Sequence, residues 1–358
     1  MASLMTATAQ YTILENKYGN FRVPALRITS GGSDILAKND LSVTDLTVTL
    51  SLEDAGMAVF KVAADYDIEK RSFDKKVKNL FKLGTVMEIE LGYLSAMTPV
   101  FKGYVSGLGV EFGSTPQLVV MLMDARKLMM TNGVRKQLYT DKNYSDIFKK
   151  VMSRYAKLCS IEADPTSDNL TSPVSQSTSD YNFVKNELLK RGKSEREFFI
   201  LYDKAYFRKP CKNKVPIMTV SLGRELLSFN TMSEYLDAEI EVIGYDPKTL
   251  KSLSSKVKVR SDKCVPVLSP TPQQFFIDPD ADSAEKAKIR AAAIGDKMKM
   301  KSVFAEGELL GLPEIVPGRF IKVQDTDDLS NNSYYINEVT HHLSDSEFKT
   351  SFEASGSA

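Results

Sequence analysis

Histidine, cysteine and paired carboxylates are the side chains that most often hold a metal, attack a carbonyl or move a proton. The sequence has two histidines, and they are adjacent, His341 and His342. Neighbours in a strand point to opposite faces, so this pair cannot readily ligate one metal together. Neither ring lies at a familiar spacing from a serine or cysteine nucleophile. Asp325, Asp327 and Asp328 offer oxygen ligands of the kind calcium takes, yet the stretch lacks the glycine and terminal glutamate of a calcium loop. Glu88 and Glu90 stand two apart in an alternating stretch, the spacing of an outer sheet face rather than of an acid–base pair. Cys159, Cys211 and Cys264 are odd in number and far apart, which favours reduced thiols over a disulfide framework or a metal cluster. Phosphate-binding glycine loops and nucleophile elbows are absent from the sequence. These side chains predict a protein that is not an enzyme, with no catalytic residue, no metal site and no cofactor.

Length and charge narrow the class further. The chain has 358 residues, more than one core usually organises, so two or three domains are expected. Its 47 basic and 46 acidic side chains leave a net charge of +1, which gives no whole-chain signal for nucleic acid or an anionic membrane. A basic run at 251–263, with Lys256, Lys258 and Arg260, reads as a solvated strand or loop. Residues 1–10 lack the charged start and apolar core of a secretory signal. No apolar run approaches the roughly 20 residues that span a bilayer. The expectation is synthesis in the cytoplasm, without stable membrane insertion or a specific nucleic-acid partner.

Strands dominate the elements that must position these residues. Residues 46–50 alternate strictly, and Met87, Ile89 and Leu91 lie opposite Glu88 and Glu90. Residues 100–105 and 118–123 complete a strand-rich part at 1–125. Within it Phe73, Val77, Leu80 and Phe81 have helical spacing, and Gly84 is placed to end that helix. The middle part, 126–219, reads as an α+β insert. Ile147, Phe148, Val151, Met152, Tyr155 and Leu158 form a helical stripe that Asn143 or Ser145 could cap. A loop at 164–178 and a second helix from Asp180 to Gly192 follow, then a hairpin turning at Asp203 and Lys204. A second strand-rich part at 220–358 includes a turn at Gly244, Tyr245, Asp246 and Pro247 and an alanine-rich helix at 283–298.

The two strand-rich parts share a spacing. Gly84 is followed by Phe101 at 17 residues and Val105 at 21, and Gly318 by Tyr335 at 17 and Val339 at 21. Both glycines follow a helix, and both lead to closing strands, with Leu118, Val120 and Leu122 in one and Phe348, Thr350 and Phe352 in the other. Such matched offsets predict a duplicated barrel, with Ile89 equivalent to Val323 and Val105 to Val339. The fold class expected is mainly β with an α+β insert: two β-barrels, each with a packed helix.

Several segments resemble the phage late control protein D family in order. They are Gly84-Thr85-Val86-Met87-Glu88-Ile89-Glu90-Leu91-Gly92-Tyr93 with Val100-Phe101-Lys102-Gly103-Tyr104-Val105, and then residues 179–184 leading to Phe199. Gly244-Tyr245-Asp246-Pro247 and Pro317-Gly318 with residues 335–341 complete the likeness over roughly 30–354. The structural motif residues it marks are Gly84, Gly92, Tyr93, Gly103, Gly244, Tyr245, Pro247, Pro317 and Gly318. The resemblance implies a homotrimeric baseplate hub, related to the hub part of type VI secretion spike proteins. Each subunit would carry two tail-tube-like barrels, so that three copies form a pseudo-sixfold ring between a sixfold tube and a threefold spike. The implied partners are the tail tube protein, a spike protein and other baseplate proteins, in a virion or phage-tail-like particle. Because the sequence stops at Ala358, the spike is expected to be a separate chain. Another tail-tube or baseplate component, or a surface or carbohydrate-binding β protein, stays as an alternative; the absence of tryptophan gives the last no support.

Overall fold

The computed structural model describes residues 4–63, 66–113, 115–191, 195–261, 266–268 and 270–357. Gly192 and Cys264 lie outside these. A short helix α1 (Tyr11–Lys17) precedes the main strands β1 (Pro24–Ser30), β2 (Ser42–Ser51) and β3 (Met57–Ala63). Helix α2 (Lys75–Leu80) separates these from β4 (Val86–Tyr93), β5 (Ala96–Glu111) and β6 (Gln117–Met123). Period-two patterning turns Leu46, Val48, Leu50, Phe60, Met87, Ile89, Val120 and Leu122 inward, and all are buried. Burying such a side chain is worth about 1.5–3 kcal/mol, which is what fixes the register of each strand.

The insert is built on α3 (Tyr144–Met152), β7 (Ser160–Ala163), β8 (Glu197–Leu201) and β9 (Lys204–Arg208). Asn143 stands at the N-cap position of α3 but makes no side-chain cap. Asp168 and Thr166 reach in from the following loop instead and accept the Tyr144 and Ser145 N–H groups at 2.9 and 3.1 Å. The β8–β9 turn falls at Tyr202 and Asp203 rather than at Asp203 and Lys204, because Tyr202 takes the left-handed conformation at φ +52° and Lys204 already pairs with Leu201. Alternate residues of this hairpin serve two cores. Phe198, Ile200 and Phe207 face the insert, whereas Phe199, Leu201 and Tyr206 join the core of the main sheet.

After the insert come β10 (Pro216–Ser221) and β11 (Leu226–Ser233). A detached group follows, β12 (Asp237–Asp246), β13 (Lys251–Arg260) and β14 (Gln273–Ile277), covered by α4 (Ala284–Lys301). Strands β15 (Val303–Leu310), β16 (Phe320–Gln324), β17 (Ser333–Ser344) and β18 (Phe348–Ser357) end the chain. Position 125 opens a helix, Ala125–Thr131, that packs into the insert core, position 219 lies inside β10, and the part beyond it holds the detached group with a small core of its own.

Pairing reveals the duplication. The first set is ordered β2-β3-β6-β5-β4-β1 and the second β11-β15-β18-β17-β16-β10. Numbered within each set, both run 2-3-6-5-4-1. Two bulges also coincide, one skipping Thr44 in β2 and Leu227 in β11, the other skipping Ser106 in β5 and Asn337 in β17. Bulges are positioned features of a strand pair, so their coincidence fixes which residues correspond. The sets differ in that β1 is antiparallel to β4 and β10 parallel to β16.

This correspondence corrects three expectations. Gly84 donates its N–H to Val105 O at 2.8 Å and Val105 N–H returns to Thr85 O; Gly318 does the same with Ile336, which returns to Arg319 O, at 2.9 Å each. Val105 therefore matches Ile336, not Val339, and the second hairpin is shorter. Gly84 does not end α2, whose C-cap is Phe81; it lies in the turn two residues before β4, in a left-handed conformation at φ +85° that suits glycine. The helices are not equivalent either. Helix α2 lies between β3 and β4, whereas α4 lies between β11 and β15 and packs on β12 and β13.

Paired strands do not close either set on itself among the described residues. Instead β17 bonds to β16 through Ser333 to Tyr335 and, farther along the same edge, to β2 from Glu338↔Ser51 to Ser344↔Asp45. With the two-residue strand Ser33–Asp34 beside β1, the two sets thus form one 13-stranded sheet over one continuous core.

Candidate functional site

Apart from Gly84, which precedes β4, the residues marked in the sequence fall into three kinds of place. Gly92, Gly103 and Gly244 sit where chains approach closely. A Cβ on them would lie 2.0 Å from Ala96 O, 2.5 Å from Met123 O and 1.9 Å from Ala281 O. Gly244 and Tyr245 are strand residues of β12; the turn itself begins at Pro247, and Asp246 caps it by accepting the Lys248 N–H at 2.8 Å and the Thr249 hydroxyl at 2.8 Å. Tyr245 is exposed. The remaining marked residues, Tyr93, Pro317 and Gly318, lie where the sets and the insert meet.

The first junction ties the β4–β5 hairpin and α1 to the segment 311–319 of the second set. Tyr93 donates to Gly311 O at 3.0 Å and packs its ring on Tyr18 and Phe348. Tyr18 donates to Glu314 at 2.6 Å, and Lys17 closes an ion pair with the same oxygen at 2.7 Å. Burial, with the Glu314 charge beside it, holds the Tyr18 phenol far above its ordinary range. The second junction docks the insert. Arg208 donates to Glu197 at 2.7 Å and to Gly318 O at 2.6 Å, and Tyr335 donates to Glu197 at 2.7 Å. A Cβ at Gly318 would stand 2.7 Å from the Arg208 guanidinium, so this glycine provides space as well as its φ of +79°. Burial raises the Glu197 carboxyl against the opposing pull of Arg208.

Several of the residues weighed for chemistry make structural contacts. His341 is fully buried in the β17–β2 seam opposite Val48, its Nδ1 2.9 Å from Thr350 Oγ1, and burial pushes its pKa down to about 3. His342 points to the other face, 3.3 Å from Asp45. Glu88 and Glu90 pair with Lys102 and Arg27 at 2.9 Å each across the sheet. Asp327 serves the β16–β17 loop by accepting the Leu329 N–H at 3.0 Å. Of the basic run, Lys256 pairs with Glu239 and Glu241, and Arg260 with Asp237, so β13 lies with its charges against the acidic face of β12. Burial pushes the Cys159 and Cys211 thiols up to about 12, away from the thiolate form.

Two surfaces remain available. A concavity of about 440 Å³ over β11, β15, β17 and β18 carries Glu306, Glu308, Glu338 and Glu353 around Phe229 and Phe352. Burial, then Glu353, raises the Glu338 carboxyl. The other surface is strand edge. Apart from an isolated bridge from Leu226 to Leu222, β11 pairs only with β15, and β5 beyond Val105 has no partner on its β4 side among the described residues. Sequence reasoning missed the buried charges Glu314, Arg319 and Arg208. Glu314 and Arg319 left a signal, a charge set among apolar residues, which folding tolerates only with a partner; Arg208, followed by Lys209, left none.

This arrangement of sheet and insert is shared with solved proteins. The chain is similar to the 43 kDa tail protein of prophage MuSo2 from Shewanella oneidensis, at 12% identity and TM-score 0.67 over 92% of this chain and 98% of that one. It is similar to the tail protein from Neisseria meningitidis MC58, at 9% identity and TM-score 0.67 over 93% and 97%. A third likeness is to the E. coli c3393 protein, described as a component of the type VI secretion system, at 13% identity and TM-score 0.56 over 92% and 76%. The fold is therefore that of phage tail proteins and of a type VI secretion component. Residues 21–345 match the family described as Alg8 N-terminal domain, and the chain belongs to that family. No curated protein matches it.

Proposed function

We propose that the chain is a non-enzymatic baseplate hub of a contractile tail or injection machine, as the resemblance to the late control protein D family implies. In this reading it is a homotrimer that joins a sixfold tail tube to a separate threefold spike, within a virion or phage-tail-like particle. The observation that carries it is the repeated strand order with its two matching bulges. Two equivalent sets per chain let three copies offer six similar docking positions, so one tube contact can recur six times around the axis. A tube subunit would need one set, and the second set together with the insert speaks against that alternative. The marked glycines and Tyr93 act as framework: they shape the hairpins and join the sets rather than touch a ligand. The test is co-production with tube and spike proteins of the same particle, followed by native mass measurement. A complex of three hubs and three spikes is expected. Copurification with the sheath alone, or a monomer whatever tail protein is added, defeats the reading.

A further inference from the structure

The duplicated framework leaves one seam filled and its counterpart open. In the filled seam, Val339, His341 and Leu343 of β17 stand opposite Leu50, Val48 and Leu46 of β2. Counting from the matched bulges, the positions equivalent to the β17 residues are Leu108 and Val110 of β5 and Phe112 just beyond it. Val339 and His341 are buried, whereas Leu108, Val110 and Phe112 are 40%, 44% and 69% exposed. By the same count the β2 residues correspond to Ser233, Thr231 and Phe229 of β11, whose outer edge beyond the Leu222–Leu226 bridge is unpaired among the described residues. A groove of about 230 Å³ is lined by Tyr66, Phe73, Leu108, Val110 and Phe112 together with Arg71 and Lys78, and the Phe112 ring meets Tyr66 edge-on at 5.8 Å.

We infer that the β5 edge beyond Val105 pairs with the β11 edge of a second copy of this chain. The strands run antiparallel, with Phe112 opposite Phe229, Val110 opposite Thr231 and Leu108 opposite Ser233. This rests on the hub reading and names the strands that would join its copies. Three features favour a second copy over an unrelated strand. The edge that fills the groove is present in the same chain, its register follows from the filled seam, and an apolar row on an exposed edge needs covering. The contact joins two different edges, so each copy keeps one edge free for the next, and the series ends only by closing into a ring.

The register is tested with Glu111→Cys and Asn230→Cys together, the positions equivalent to His342 and Thr47, which pair directly in the filled seam. Oxidation of the full-length double variant, alone at high concentration and co-produced with tube and spike proteins, should give reducible species larger than a dimer. Either single variant can link only two chains. Glu111→Cys with Thr231→Cys, one residue out of register, should give none beyond a dimer. Phe112→Glu, at an exposed position, should keep the circular dichroism of the wild type and weaken self-association by about ten-fold, since it sets a charge against an aromatic partner. No larger species from the in-register pair, or unchanged association of Phe112→Glu, overturns the inference. If three-to-three complexes form without the link, the pairing falls and the hub stands. Linked copies that bind no tail protein leave the pairing standing and remove the hub.

Discussion

His341 makes the filled seam sensitive to acid, and the size of the effect follows from its burial. Inside the seam its pKa is about 3, and it has 0% exposure. In the unfolded chain it returns to about 6.5. Because the folded value is the lower one, the unfolded state binds more protons between these two values, and stability falls as pH falls through that window. From pH 7 to pH 5 the unfolded ring becomes almost fully protonated while the folded ring stays neutral, a loss of about 2 kcal/mol. Carrying the titration down to the folded pKa raises the loss to about 4–5 kcal/mol. Raised carboxyls such as Glu197 and Glu338 act in the opposite direction, so the measurement must be a difference. His341→Gln keeps a polar side chain facing Thr350 but cannot titrate. Guanidinium midpoints at pH 7, 6 and 5 should show the wild type losing about 2 kcal/mol more than the variant. Parallel pH profiles for the two proteins would refute the argument.

Three further outcomes are expected. Gly92→Ala forces a methyl group 2.0 Å from Ala96 O, and denaturant unfolding should record a loss of about 2–3 kcal/mol. Arg208→Ala leaves Glu197 buried without its cation at the insert junction; the loss should be about 3–5 kcal/mol, and limited proteolysis should cut around the insert first. Glu314→Gln removes the charge beside Tyr18, which should bring that phenol down toward the ordinary tyrosine range in an ultraviolet titration and cost about 1–3 kcal/mol.

Much of the sheet was legible because alternation is local. Residues 46–50 and Met87, Ile89 and Leu91 announce their inward faces without knowledge of any partner strand, and the helical stripe from Ile147 to Tyr155 does the same for α3. The duplication was legible through Gly84 and Gly318, since a left-handed turn before a strand leaves a glycine behind. Its register was not legible. Equal offsets to Val105 and Val339 misled because the second hairpin is shorter, and a bulge at Ser106 or Asn337 leaves no mark in residue type. The cap of α3 was hidden for a related reason: Asp168 acts from a loop far along the chain. The seam between the sets was the least visible feature, for its partners lie almost at opposite ends of the sequence.

That separation has a consequence for how the protein is made. Thr49 and Thr340 face each other with their hydroxyl oxygens 3.3 Å apart, yet 291 residues separate them. At the usual pace of translation, about 5–20 residues per second, β2 waits roughly 15–60 s on the ribosome before its partner emerges. During that interval β2 offers a bare apolar edge to whatever strand is nearest. On a crowded polysome, the nearest matching strand is the β17 of a chain ahead that has just been completed. Exchange of that strand would trap two chains in a swapped dimer with the right contacts and the wrong connectivity. The delay between the two ends of the chain should therefore bear on yield in the cell, beside the stability of the finished sheet.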